Sequence, residues 1–162
     1  MEFKILTVSD GVVAGTREDG SGRALSERLT EQGHLVVERR VCADGTTSVA
    51  VALVEMCANF AGVVVTTGGT GFSVRDRTPE GTLAVIEREA PSLADAMRAV
   101  NPLGRLSRGV AGVRGASVIC NVPGSPRGAV ESLDAVIDVL PHAATLLVEA
   151  HDPHPHTPKH AM

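Results

Sequence analysis

Apolar runs alternate along this chain with segments whose apolar residues recur at helical spacing. Phe3 to Val8 is strand-like and leads into a polar, glycine-bearing loop over Ser9 to Ser21. Gly22 to Gln32 carries Leu25 and Leu29 four apart and stops at Gly33, the pattern of a helix with a glycine at its C-terminal end. Leu35 to Val41 is β-branched and alternating, which predicts a second strand. After a turn at Cys42 to Gly45, Thr46 or Thr47 is the expected cap of a helix to Asn59 with Leu53, Met56 and Cys57 inward. Gly62 to Thr66 is the third strand. Thr78 as cap, with Pro79 first inside, starts a helix carrying Leu83 and Ile86. Another begins after Pro91 with Leu93, Met97 and Val100, and Asn101-Pro102-Leu103-Gly104 breaks it. Ser117 to Val122 predicts a further buried strand, and Gly128 to Leu140 a helix that Pro141 ends or restarts.

This alternation predicts βαβ units: an α/β fold whose mostly parallel central sheet is covered on both faces. No internal repeat is visible. Residues 1–150 are expected to form one domain, followed by a disordered tail over 151–162 that holds three prolines and no apolar pattern. The tail's four histidines and Asp152 are metal-ligand types, but the interleaved prolines deny them a regular scaffold.

Composition narrows the classes. Hydrophobic residues make up 43% of the chain but aromatics only 2%, so the core has to be built from Val, Leu, Ala and Ile. A net charge of −4 argues against a nucleic-acid partner, which calls for a basic face, and stacking platforms for single strands are missing. No apolar run approaches the ~18 residues of a membrane span. The chain opens directly in a strand pattern, so no signal peptide and no membrane association are expected. Cys42, Cys57 and Cys120 are odd in number and lack C-x-x-C spacing, which predicts reduced thiols and a cytoplasmic location.

The chemistry concentrates after the third strand. Val63-Val64-Val65 runs straight into Thr66-Thr67-Gly68-Gly69-Thr70-Gly71, and Arg75-Asp76-Arg77 follows. Glycines at a strand's C-terminal end let backbone N–H groups approach an anion closely, and ligands of open α/β sheets bind at that edge. The loop has no Gly-Lys-Ser/Thr ending and is no P-loop; the G-x-G-x-x-G fingerprint fails at Gly69-Thr70-Gly71 and at Gly20-Ser21-Gly22. Asp10 follows the first strand, Asp44 the second and Asp76 the glycine loop, while Asn121 and Gly124-Ser125 mark a fourth exit. A single loop Asp is ordinarily a turn or cap residue; in a parallel sheet, however, all these exits share one edge. Carboxylates beside phosphates repel by roughly 4 kcal/mol per charge pair at 4 Å and an effective dielectric of ~20. Arg75 and Arg77 offset part of this, and a shared Mg²⁺ is the usual remainder.

Four motifs in order carry a family resemblance: Thr66-Thr67-Gly68-Gly69-Thr70-Gly71; Arg75-Asp76-x-Thr78-Pro79-Glu80; Leu106-Ser107-Arg108 with Gly112-x-Arg114; and Asn121-x-Pro123-Gly124-Ser125-Pro126. With the opening Thr7-Val8-Ser9-Asp10, the chain from Phe3 to Val148 resembles the MogA/MoaB family of molybdenum-cofactor biosynthesis proteins, also seen as the G domain of gephyrin-type fusions. The resemblance implies a three-layer α/β/α domain of the molybdopterin-binding fold, assembled as a homotrimer. It implies adenylyl transfer from Mg²⁺-ATP to molybdopterin with release of pyrophosphate, and a molybdenum-insertion partner of MoeA type. The family's two functional aspartates map onto Asp44, by position, and Asp76, by motif; both are the implied catalytic and Mg²⁺ residues. A proline often found before the first is replaced here by Cys42-Ala43, and Gly81 stands where alanine is common. Thr67, Gly68, Gly69, Thr70, Gly71 and Arg75 are then the expected phosphate contacts, and Ser9, Asp10, Ser107, Asn121, Pro123, Gly124 and Ser125 the expected molybdopterin contacts. Two alternatives come with this reading: a non-catalytic, MoaB-type pterin-binding paralogue, and a flavodoxin-like electron carrier, against which the lack of Trp and Tyr argues.

Overall fold

The computed structural model describes residues 1–151. Its six strands are β1 (Glu2–Val8), β2 (Leu35–Cys42), β3 (Gly62–Thr67), β4 (Arg88–Glu89), β5 (Ala111–Arg114) and β6 (Ser117–Val122), in one sheet ordered β2-β1-β3-β6-β5-β4. β1, β2, β3 and β6 are mutually parallel; β5 runs antiparallel to both β6 and β4. The helices are α1 (Asp10–Val13), α2 (Gly20–Glu31), α3 (Thr46–Cys57), α4 (Thr78–Leu83), α5 (Pro91–Ala99), α6 (Pro126–Asp134) and α7 (Leu140–His151), with a 3₁₀ turn over Pro102–Leu106.

The strand alternation sorts side chains into two cores. Phe3 and Ile5 of β1, Val63 and Val65 of β3, and Val118, Cys120 and Val122 of β6 face Leu25 and Leu29 of α2, Met97 of α5, Leu133 of α6 and Leu140 of α7. Leu6, Val8, Val64 and Ile119 point the other way, onto Val49, Leu53 and Met56 of α3. Every residue of β3 and β6 is buried, as continuous apolar runs require in a sheet covered on both sides. The fold is thus the expected α/β/α arrangement. Gly81 lets α4 close onto α3, since a Cβ there would meet the Val49 Cβ at 2.7 Å and the Thr46 carbonyl at 2.8 Å.

Several local expectations differ from the fold. β4 and β5 extend the sheet antiparallel; Arg88-Glu89 and Ala111-Gly112-Val113-Arg114 are too short and too polar to signal a strand. The loop expected over Ser9 to Ser21 contains α1, capped by the Ser9 hydroxyl, and the start of α2, capped by Asp19. The cap of α3 is Gly45, at φ 131°, and neither threonine serves. Arg77 holds the cap position of α4, because the Thr78 hydroxyl is drawn away to donate to the Gly68 carbonyl at 2.8 Å. The helix expected to reach Leu140 ends at Asp134, and Pro141 lies in the first turn of a new one. α7 reaches His151, the first residue of the expected tail; residues 152–162, with the remaining candidate metal ligands, lie outside the described residues. Cys42, Cys57 and Cys120 are free thiols, and burial pushes Cys42 up to about 11 and Cys120 up to about 12. Among the described residues no helix is long and apolar enough to cross a membrane.

Candidate active site

The parallel register aligns the strand exits. Thr7 pairs with Val41 and Thr67, and Thr67 with Val122, so the loops after β1, β2, β3 and β6 start side by side. A cleft of about 1190 Å³ runs along that edge, lined among others by Ser9, Asp44, the glycine loop, Asp76, Ser107 and Ser125.

The glycine loop follows from its residues. Gly68 and Gly69 have φ of 97° and 66°, backbone that a side chain strains. A Cβ on Gly68 would lie 2.3 Å from the Val8 carbonyl oxygen. Gly68 N–H donates to the Val122 carbonyl and Thr78 N–H to that of Gly69, which ties the loop to β6 and α4. Among the described residues, the N–H groups of Gly69, Thr70 and Gly71 donate to no protein acceptor. They remain available to an anion, as expected of a phosphate cradle.

Carboxylates flank this loop. A Cβ on Gly69 would come within 3.3 Å of Asp44 Oδ1, and one on Gly71 within 2.8 Å of Asp76 Oδ2. Asp44 Oδ2 accepts from the Asp10 N–H at 2.9 Å, while Asp10 Oδ1 accepts from the Asp44 N–H at 3.0 Å. This reciprocal pair locks the β1 and β2 exits together and leaves Asp44 Oδ1 towards the loop. Asp76 Oδ2 accepts from the Ser73 N–H at 3.0 Å. Two carboxylates beside a glycine-rich cradle suit Mg²⁺, which takes one or two protein carboxylates and completes its shell with water and substrate phosphate. Among the described residues no three acidic, histidine or cysteine side chains cluster as an all-protein metal cage.

The remaining candidates divide by what their polar atoms touch. The Arg75 guanidinium donates to Asp10 Oδ2 at 2.8 and 3.1 Å and to the Asp44 carbonyl at 3.2 Å, and this hydrogen bond first of all holds the Asp10 carboxyl below its ordinary range. Arg75 and Asp10 therefore meet each other, and neither lines the cleft. The Thr67 hydroxyl is buried and donates to the Pro123 carbonyl at 2.7 Å. Asn121 is buried too: its amide N donates to Thr66 Oγ1 and Thr82 Oγ1, and its amide O accepts from the Val110 N–H. These two residues hold the exits of β3 and β6 in register. The Ser107 hydroxyl accepts from the Gly109 N–H at 3.2 Å, and Ser125 caps α6 through the Gly128 N–H. Gly124 passes so near Gly68 that a Cβ would lie 3.2 Å from the Gly68 Cα.

Two side chains escaped the sequence reading. Asp19 caps α2 and also binds the Thr7 hydroxyl and Arg39. An Asp just before Gly20-Ser21-Gly22 was its one signal. Arg108 was visible only as part of the Leu106-Ser107-Arg108 motif, and nothing local reveals that it reaches across to the glycine loop.

Fold and site together define a class: an α/β/α domain that offers a phosphate-type cradle with two acidic partners at the C-terminal edge of a parallel sheet. The family model described as "Probable molybdopterin binding domain" matches residues 4–142. The chain is 36% identical over 151 residues to a molybdopterin adenylyltransferase of Helicobacter pylori, covering 89% of this chain and 86% of the relative. It is 35% identical over 145 residues to the molybdopterin adenylyltransferase of Escherichia coli, covering 85% and 74%. Among solved structures, the molybdopterin biosynthesis enzyme MoaB of Thermus thermophilus superposes with a TM-score of 0.84 at 43% identity over 90% of this chain and 95% of that one. The Mog protein of Mycobacterium ulcerans gives 0.83 at 38% identity over 90% and 98%. This chain belongs to the MogA/MoaB family of molybdenum-cofactor biosynthesis proteins.

Proposed function

We propose that this protein is a molybdopterin adenylyltransferase, which transfers AMP from ATP to the molybdopterin phosphate and releases pyrophosphate. One observation carries the assignment to this site: Asp44 and Asp76, from separate strand exits, face a loop whose three successive N–H groups lack acceptors among the described residues. A carrier for an anionic pterin gains nothing from two carboxylates beside a phosphate cradle, since each repels the ligand. A nucleotidyltransferase needs them. The cleft also exceeds the ~300–1,000 Å³ usual for one small ligand, as two co-substrates require.

In this reading Gly69, Thr70 and Gly71 bind the ATP phosphates through their N–H groups. Asp44 and Asp76 hold Mg²⁺, which when bound neutralises phosphate charge. The glycine loop fixes the α-phosphorus where a terminal phosphate oxygen of molybdopterin reaches it in line; the new P–O bond forms as the α–β bond breaks and pyrophosphate departs. Ser107, Gly124 and Ser125 form the pterin wall, with Ser9, Asn121 and Pro123 along the same cleft and Asp10 behind it. Thr67 and the Asp10–Arg75 pair keep the strand exits aligned, and Arg75 meets phosphate only on leaving Asp10. The described domain assembles as a homotrimer, acts in the cytoplasm and hands its product to a molybdenum-insertion protein of MoeA type.

Incubation with molybdopterin, Mg²⁺ and ATP, followed by pyrophosphate assay, tests the activity. Wild type that binds molybdopterin yet releases no pyrophosphate defeats it in favour of a binding-only MoaB-type protein. Light scattering checks the trimer; a monomer mass at micromolar concentration contradicts it.

A further inference from the structure

Residues 107–109 turn their neighbouring groups in opposite directions. Ser107 and Gly109 line the cleft, while the side chain of Arg108 leaves it and runs against the glycine loop. Arg108 N–H donates to the Thr70 carbonyl at 2.8 Å, Nε to the Gly71 carbonyl at 2.8 Å, and the two terminal nitrogens to the Asp76 carbonyl at 2.6 Å and to Glu80 Oε1 at 2.5 Å. One residue thus grips both ends of the segment from Thr70 to Glu80. Peptide units are planar and trans, so a carbonyl held by Arg108 turns the next N–H away from it. Holding Thr70 C=O therefore aims the Gly71 N–H to the opposite side, and holding Gly71 C=O does the same for the next peptide.

The partners make this grip hard to replace. Among the described residues, buried Glu80 Oε2 has no hydrogen-bond partner, so the Glu80 carboxylate depends on Arg108, with Arg77 more distant at 3.9 Å. A planar guanidinium presents donors in a rigid fork that reaches three acceptors in three directions, and an ammonium has no such geometry. Segment 72–75 is tied elsewhere by Arg75 to Asp10 and the Asp44 carbonyl and by the Ser73 N–H to Asp76, while Phe72 and Val74 are 69% and 81% exposed.

We propose that Arg108 is a positioning residue for the nucleotide half of the site, bracing the glycine loop and the peptide of Asp76 from the wall that Ser107 and Gly109 present to the other substrate. The proposal rests on the reading of the loop as the Mg²⁺-ATP subsite. Its action runs through the loop, and Arg108 itself does not line the cleft.

The test compares wild type with Arg108→Ala, Arg108→Lys and Glu80→Gln in the full chain, by Mg²⁺-ATP calorimetry, pyrophosphate release and thermal midpoint. In Arg108→Ala, kcat/KM for Mg²⁺-ATP should fall about 30-fold and the Mg²⁺ concentration for half-maximal rate should rise, with KM for molybdopterin unchanged. Arg108→Lys should recover little, because charge without the fork does not hold three acceptors, and Glu80→Gln should show the same asymmetry more weakly. Full recovery by lysine, or equal loss towards both substrates with a lowered midpoint, overturns the proposal. If Arg108→Ala does not fold, the other two variants decide by the same asymmetry. Wild type that binds Mg²⁺-ATP but releases no pyrophosphate defeats the adenylyltransferase reading alone, and Mg²⁺-ATP affinity across the variants then decides the role of Arg108. Wild type that binds no Mg²⁺-ATP overturns both.

Discussion

The loops that leave β3 and β6 lie side by side at one sheet edge, yet they are built in opposite ways. The β3 exit has left-handed glycines at 68 and 69, carbonyls taken by Thr78 and Arg108, and three N–H groups without acceptors among the described residues. The β6 exit, Pro123-Gly124-Ser125, contributes a carbonyl to Thr67 and then starts α6 with Ser125 as its cap. The first holds its carbonyls inward so that its donors stay unpaired. The second behaves as an ordinary helix entry whose hydroxyl serves its own backbone. In the proposed reaction the first exit serves the anion and the second shapes the wall.

The largest expected effect tests the chemistry beside the β3 exit. Asp76→Asn should lower pyrophosphate release by about 10²–10³-fold, the range for losing one preorganised electrostatic contact, with the thermal midpoint within a few degrees of wild type. Near-normal turnover would remove Asp76 from the reaction; an unfolded variant would make its role structural.

Next comes the backbone of the same exit. Gly68→Ala forces a Cβ onto the Val8 carbonyl at φ 97°, and should destabilise by about 3 kcal/mol. For a domain of this size that lowers the midpoint by roughly 6–12 °C. A midpoint unchanged in calorimetry would mean the loop relaxes freely and the contrast between the exits is overstated.

The β6 exit should respond more mildly. Ser125→Ala removes one cap from a nine-residue helix and should lose about 1 kcal/mol of stability with Mg²⁺-ATP affinity unchanged. A large loss of molybdopterin affinity at unchanged stability would show that Ser125 touches the pterin as well as its own helix.

The smallest effect concerns acid. Hydrogen bonding by Arg75 lowers the folded-state pKa of Asp10 below its ordinary 3.8. A lowered folded pKa contributes stability that is complete above the unfolded value and is lost as pH falls through the folded one. Asp10→Asn keeps an acceptor for the Asp44 N–H but removes the charge. It should leave the midpoint at pH 7 nearly unchanged, since the pair is exposed, and flatten its decline below about pH 4. An unaltered acid limb in thermal melts from pH 2 to 7 would show that the Asp10–Arg75 pair does not form in solution.

The sequence by itself determined the layer architecture and the glycine loop at the sheet edge. Period-two alternation on β2, unbroken apolar runs in β3 and β6, and helical spacing in between are local signals, each readable within about ten residues. The glycine loop was legible for the same reason, since Gly68 and Gly69 announce backbone that other residues avoid. Tertiary structure alone decided which side chains line the cleft and which face each other. Nothing near Asp10 in the chain points to Asp44 34 residues on, or to Arg75 65 residues on. Asn121 reads as a site residue until Thr66, Thr82 and Val110 converge on its amide. The two-residue β4 exists only because β5 pairs with it. Hydrogen-bond partners brought together by chain crossing leave no periodic trace in sequence, because each partner satisfies the other only once the fold has formed.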